Sequence, residues 1–182
     1  MLCKRLIACL DVRDGRVVKG TNFRALRDAG DPAELAARYD LEGIDEVVVL
    51  DVSATVENRR ALAATIHAVA SRLFIPLTVG GGVATLDDAS ALFDAGADKV
   101  SINSAALRSP ALITAIAERY GSQAVIVAVD AKRDAKEDGG NYRVFGRSGT
   151  DASPREAVAW AREAADRGAG EILATSIDRD GT

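Results

Sequence analysis

Short apolar runs rich in β-branched residues alternate along the chain with longer stretches whose apolar positions recur every three or four residues. The short runs predict strands at residues 5–10, 46–50, 75–79, 99–102, 124–129 and 171–175. The longer stretches predict helices at 32–41, 58–72, 86–95, 110–120 and 154–167. Strand and helix in regular alternation are the pattern of repeated βα units around a parallel sheet. Asp31-Pro32, Ser109-Pro110 and Ser153-Pro154 each put a capping oxygen before a proline at a first helical turn. Thr85 with Asp88 forms a carboxylate version of the capping box, and Gly121 and Gly168 read as helix stops.

Two connections break this rhythm. Residues 11–30 contain Asp14-Gly15, and residues 132–152 contain Gly139-Gly140-Asn141. Each turn signal stands beside a β-prone segment, 16–19 and 142–145, so each long loop is expected to hold a small hairpin. Both loops follow a strand that ends in an aspartate, Asp11 and Asp130. Loops of this length within a compact domain are more often functional than idle.

Strand parity then sorts the polar residues. Alternate side chains share a face, which groups Arg5, Ile7, Cys9 and Asp11; Lys99, Ser101 and Asn103; Ala128 and Asp130; and Glu171, Leu173 and Thr175. Charged residues (Arg5, Glu46, Lys99, Glu171) thus open four strands, and polar residues close them. The opening charges are either solvated strand entrances or a paired ring of two bases and two acids across a barrel floor; pairing would make burial tolerable. Asp11 and Asp130 stand at carboxyl ends of strands, where α/β active sites form. They either cap the loops that follow or divide general acid and general base work. Thr78-Val79-Gly80-Gly81-Gly82-Val83 leads a strand into a helix. It is either a tight turn or an anion site built from exposed backbone N–H groups. Asn103-Ser104 could add donors to that anion, Asp178–Gly181 forms a second polar glycine-containing strand end, and Lys19 could close over a phosphate.

Composition narrows the class. The chain has 182 residues, 48% hydrophobic and 27% charged, which suits one folded core and argues against disorder. Its apolar runs are too short to span a membrane or to serve as a secretory signal. A net charge of −4 with 4% aromatic residues speaks against a general nucleic-acid binder. Cys3 and Cys9 lie too far apart along one extended strand to bond each other, and fit no metal spacing. His67, the one histidine, sits in a helical stretch without a partner ligand, so it reads as a surface or satisfied helix residue and no metal site is expected. The expectation is a cytosolic, single-domain α/β protein over residues 1–182. Six units of about 30 residues leave two architectures open, an open sheet lacking one helix or an incomplete barrel, since eight units need about 250 residues.

Cys9-Leu10-Asp11-Val12 followed by Asp14-Gly15-Arg16-Val17-Val18-Lys19-Gly20 resembles the cyclase subunit of imidazole glycerol phosphate synthase. So do Arg27–Pro32, Leu77–Gly82, Ala97–Ser104 and Thr175–Thr182, so that the resemblance runs over the whole chain. The sister isomerase one step earlier in histidine synthesis shares the fold and the paired aspartates. It is less similar in the segments 14–20 and 98–104. The resemblance implies a (βα)₈ barrel of the TIM type, here with about six of its eight units. It implies a lyase that joins ammonia to a bisphosphorylated N′-phosphoribulosyl-formimino aminoimidazole carboxamide ribonucleotide, giving imidazole glycerol phosphate and the carboxamide ribotide. By the same resemblance Asp11 and Asp130 are the acid–base pair and Lys19 the loop lysine. Gly81, Gly82, Asn103 and Ser104 bind one phosphate, and Asp180 and Gly181 begin the second site. Arg5, Glu46, Lys99 and Glu171 form a charged gate on which a glutaminase subunit docks, and Thr78 and Ser101 line the route of its ammonia. No cofactor is implied. Because the family continues through two more units, the resemblance also allows a catalytically silent barrel fragment that self-associates or only binds the glutaminase.

Overall fold

The run Glu46-Val-Val-Val-Leu-Asp shows no apolar–polar alternation because its strand is buried on both faces. In a computed structural model of the chain, which describes residues 4–21, 24–52, 59–133, 141–146 and 149–179, this strand is β4 (Glu46–Asp51), with Val47 and Val49 fully buried. It lies between β1 (Ile7–Arg13) and β5 (Leu77–Gly80), both parallel to it. Asp14 and Gly15, at φ +51° and +74°, turn β1 into the antiparallel β2 (Arg16–Thr21), pairing Val12 with Val17. That hairpin is the expected one, but β2 also carries a third strand, β3 (Arg24–Gly30), which the sequence pattern did not announce. Its segment, Arg-Ala-Leu-Arg-Asp-Ala-Gly, lacks alternation; the exposed pair Arg16–Asp28 links β2 to it at 3.0 Å.

Helices α1 (Pro32–Leu41), α2 (Arg59–Ala70) and α3 (Leu86–Asp94) complete this part of the chain, burying Ala36, Ile66, Val69 and Ala89. Asp31 caps α1 as expected, accepting from the amides of Ala33 and Glu34. His67 is exposed in the last turn of α2, as read from the sequence. Among the described residues the chain forms two compact units. The first holds the residues up to Val100 apart from 20–25 and 84–86, and the second holds those stretches and everything from Ser101 onward.

In the second unit the expected sixfold rhythm continues through α4 (Ser104–Arg108), α5 (Ala111–Tyr120), β7 (Val125–Arg133), α6 (Ala157–Asp166) and β10 (Glu171–Ser176). Strand β6 (Lys99–Ile102) precedes them, its first two residues assigned to the first unit. Parallel β10 pairs β7 from Glu171–Ile126 to Ser176–Ala131. The second hairpin is also present: β8 (Tyr142–Gly146) returns antiparallel to β7, with Phe145 opposite Asp130. It again carries a further strand, β9 (Asp151–Glu156).

Two expected caps fall to this arrangement. Ser153-Pro154 belongs to β9, and α6 is capped instead by Glu156, whose carboxylate accepts from the amides of Val158 and Ala159 and is held below the ordinary carboxylate range by them. Pro154 is tolerated because β9 is an edge strand, which can spare an N–H. At α5 the cap position is Pro110 and no side chain bonds the first turn; Leu112 donates to the Ser109 carbonyl instead. Gly121 and Gly168 do end helices, at φ +90° and +106°.

The turns that feed strands share a construction. Gly43-Ile44-Asp45 and Gly96-Ala97-Asp98 each begin with a glycine at positive φ. The aspartate amide then donates to a neighbouring strand's carbonyl (Leu6 or Leu77) and its carboxylate accepts from the same residue's N–H, at 2.6 and 2.8 Å. At Gly168-Ala169-Gly170 the amide bond to Val125 is kept, but a Cβ on Gly170 would lie 2.4 Å from the Ser122 carbonyl oxygen, so no aspartate fits. Removing the Asp98 carboxylate leaves the amide of the buried Leu77 without that acceptor. Asp98→Ala is expected to cost about 1–2 kcal/mol in urea unfolding.

Candidate functional site

Strand register places the functional side chains. In the first unit Ile7, Cys9 and Asp11 of β1 stand opposite Glu46, Val48 and Leu50 of β4, and Val48 and Leu50 stand opposite Thr78 and Gly80 of β5. These residues share one sheet face, so Glu46 lies at its amino end and Asp11 at its carboxyl end. Four residues of strand separate the two levels, about 13 Å.

The amino end is a charge cluster. Glu46 is 1% exposed; its Oε2 accepts from Arg5 Nη1 at 2.8 Å and from Lys99 Nζ at 2.9 Å. Its Oε1 accepts from the Thr78 hydroxyl at 2.6 Å. The sequence left open whether these charges were solvated entrances or a paired floor. For Arg5, Glu46 and Lys99 the structure gives pairing, with Thr78 as an additional donor. Glu171 occupies the corresponding place in the second unit, at the start of β10, opposite Ile126. Ser101 is buried on β6.

The carboxyl end of the first unit carries Asp11 and the glycine turn. Asp11 is half-buried, and its charge together with burial pushes the Cys9 thiol up to about 12, burial being the larger cause. Cys9 retains an open path to solvent on the face it shares with Asp11. Gly81, at φ +98°, packs so closely that a Cβ would stand 2.2 Å from the Asp51 carbonyl oxygen. Gly82, at φ +69°, has nothing within 4 Å of its missing Cβ. The pair thus fixes a tight turn and leaves open space above it, as a backbone anion cradle requires. Lys19 is exposed on β2.

In the second unit Asp130, half-buried near the carboxyl end of β7, stands opposite Thr175 of β10 and Phe145 of β8. Asn103 Nδ2 donates to its Oδ2 at 2.9 Å. Ser104 follows Asn103 and opens α4; a Cβ on Gly146 would come within 3.2 Å of its Oγ, so a glycine there leaves the hydroxyl room. Asp180 and Gly181 lie outside the described residues. Of the adjoining strand end, the Asp178 carboxylate accepts from the Arg133 amide at 2.9 Å and ties β10's exit to β7. Among the described residues there is no cluster of three or more metal-ligating side chains.

Sequence reading did not foresee the Asn103–Asp130 bond or the coupling of Cys9 to Asp11. The second was visible in principle, because Cys9 and Asp11 are two apart on a strand.

Parallel strands joined through helices, with carboxylates near their carboxyl ends and a glycine turn beside one of them, define an α/β protein of repeated βα units. A family model described as histidine biosynthesis protein matches residues 5–182. Imidazole glycerol phosphate synthase subunit HisF of Acidobacterium capsulatum is 60% identical over 182 residues, all of this chain and 70% of that protein. The same subunit of Myxococcus xanthus is 57% identical over 181 residues, again 70% of its length. The chain belongs to the HisF family, the cyclase subunits of imidazole glycerol phosphate synthase, whose fold is the TIM barrel.

Proposed function

We propose that this chain carries out the cyclase step, joining ammonia to the bisphosphorylated formimino ribonucleotide to give imidazole glycerol phosphate and the aminoimidazole carboxamide ribotide. The observation that carries the reading is a whole-chain identity of 60% to a HisF subunit, in a chain that sets Asp11 and Asp130 at carboxyl ends of strands. The ring is made from a ketone, a formimino carbon and ammonia, and water is released. Protons must leave the incoming nitrogen and reach the departing oxygen and amine. Two carboxyl groups in different protonation states suffice for that traffic, with no cofactor. Gly81, Gly82, Asn103 and Ser104 hold one phosphate, Asp180 and Gly181 contribute to the other, and Lys19 closes over the substrate.

Ammonia is supplied by a glutaminase subunit docked at the amino ends of the strands, over the cluster of Arg5, Glu46 and Lys99, with Glu171 as its fourth member and Thr78 and Ser101 along the route. Three features support that surface: Phe74 and Leu41 are 99% and 91% exposed there, and Phe74 lines a cavity of about 360 Å³ with Leu73, Ile75, Pro76 and Asp98. Exposed aromatic anchors beside a pocket suit a protein partner. Phe74→Ala is expected to weaken glutaminase binding at least about tenfold in calorimetry, with an unchanged unfolding midpoint. An unchanged affinity would move the interface elsewhere. The reaction takes place in the cytoplasm, where the pathway's soluble substrates are.

The test of the chemistry is turnover with free ammonium salt, which dispenses with the glutaminase. Formation of imidazole glycerol phosphate supports the reading. A folded chain that binds the glutaminase and forms no product would establish the docking role alone.

A further inference from the structure

The Asn103 side chain is placed unusually. Its Nδ2 donates to Asp130 Oδ2 at 2.9 Å, while its Oδ1 is buried without a hydrogen-bond partner among the described residues. Its backbone is also atypical, at φ −128°, ψ −89°, and its side chain makes no capping bond to α4, although it holds the cap position. An acceptor left buried and unsatisfied costs stability, so an asparagine that neither caps its helix nor satisfies its oxygen calls for another explanation.

The two ends of a carboxamide offer one. An ionised carboxylate only accepts, and needs the N–H end; a protonated carboxyl group donates, and needs the oxygen end. Half a turn about the broad terminal torsion of asparagine exchanges the two ends without moving the rest of the side chain. The orphan Oδ1 is then the acceptor held ready for Asp130 after it has taken up a proton. Resting on the acid–base role proposed for Asp130, we infer that Asn103 is the positioning residue of Asp130, holding its carboxyl group in both protonation states through the two ends of one amide.

The groups registered beside Asp130 differ from Asn103 in chemistry. Thr175 and Phe145, registered opposite Asp130 on β10 and β8, do not titrate in the neutral range. The other charged positions along these strands are Lys132, Arg133, Arg143 and, at the far end of β10, Glu171, with the Asp178 carboxylate accepting from the Arg133 amide. A phosphate drawn to the backbone at Asn103 and Ser104 would use main-chain N–H groups and leave the side-chain amide on Asp130.

Two variants test the inference. Asn103→Leu keeps the bulk and removes both ends of the amide; kcat for ammonia-dependent turnover is expected to fall about tenfold to a hundredfold, with KM within about twofold. Asn103→Asp keeps the shape. Its added carboxyl group donates to Asp130 when protonated and repels it when ionised, so activity is expected to recover toward acid pH and fall as pH rises. A purely structural role would leave the shape of the pH profile unchanged. In parallel, the Asp130 carboxyl carbon is titrated by NMR in the unmutated chain and in Asn103→Leu, which requires no turnover. The midpoint is expected to rise in the variant, because the bond lost by the ionised form is charge-assisted and stronger than the one lost by the protonated form. An unmoved midpoint, a pH profile of Asn103→Asp parallel to that of the unmutated chain, or a loss confined to KM would overturn the inference. Unchanged turnover in Asp130→Asn would instead overturn the acid–base role on which it rests.

Discussion

Asp11→Asn is expected to lower ammonia-dependent turnover by about 10²–10⁴-fold while leaving the chain folded. The substitution keeps volume and removes only the proton-transfer capacity and the charge. Asp11 stands in the register row Asp11–Leu50–Gly80, one step below the glycine turn, so the variant alters chemistry at a place the surrounding strands continue to define. Cys9 supplies an independent reading of the same change. Burial sets most of its shift to about 12 and the Asp11 charge adds to it, so the variant's thiol is expected to titrate below the unmutated chain's yet above an ordinary cysteine. Thiolate absorbance during alkaline titration measures this. Lost turnover together with the Cys9 shift would assign the loss to the missing carboxylate; retained turnover would exclude Asp11 from proton transfer. The sign for stability also follows. The folded state binds this proton more tightly than the unfolded chain, so the contribution is intact below about 9 and is lost as pH rises toward about 12.

Glu46→Ala is expected to destabilise the chain by about 3–5 kcal/mol, the usual cost of removing one partner from a buried ion pair. Glu46 answers two cations and a hydroxyl with its two oxygens, and Lys99, whose side chain is only 12% exposed, would keep its charge without that carboxylate. For a chain of this size such a loss lowers the thermal midpoint by roughly 6–20 °C. Arg5→Ala should cost under about 1 kcal/mol, because the Arg5 side chain is 45% exposed and water replaces the pair. Thermal unfolding of the two variants side by side decides whether the cluster is held by its acid. Equal losses would mean that the floor is a surface pair and not a buried hub.

Periodicity located the strands and helices because each buries its apolar positions at its own spacing, and β4 and β7 declare themselves by unbroken valine-rich runs. Turn chemistry located both hairpins, since Asp14-Gly15 satisfies a positive-φ turn almost by composition. It did not reveal β3 and β9, whose polar segments are strands only because a neighbouring strand offers them hydrogen bonds. Caps were legible where the oxygen precedes the turn it serves, as at Asp31. They failed where a proline belonged to a strand, as at Pro154. Parity assembled Ile7, Cys9 and Asp11 on one face, which the register bears out. The bond from Asn103 to Asp130 was not legible, because it joins residues 27 apart and depends on where a strand end delivers one amide.

The thiol of Cys9 has a consequence for what can move along its face. A group that stays protonated up to about 12 is electrically silent at physiological pH, and its neighbours across the strands, Val48 and Thr78, carry no charge either. An ion moved along this face from the Arg5–Glu46–Lys99 cluster toward Asp11 would therefore leave its counter-charges behind, whereas a small neutral molecule has none to leave. A neutral level thus separates the charged cluster at the amino end of the face from the carboxylate at its carboxyl end.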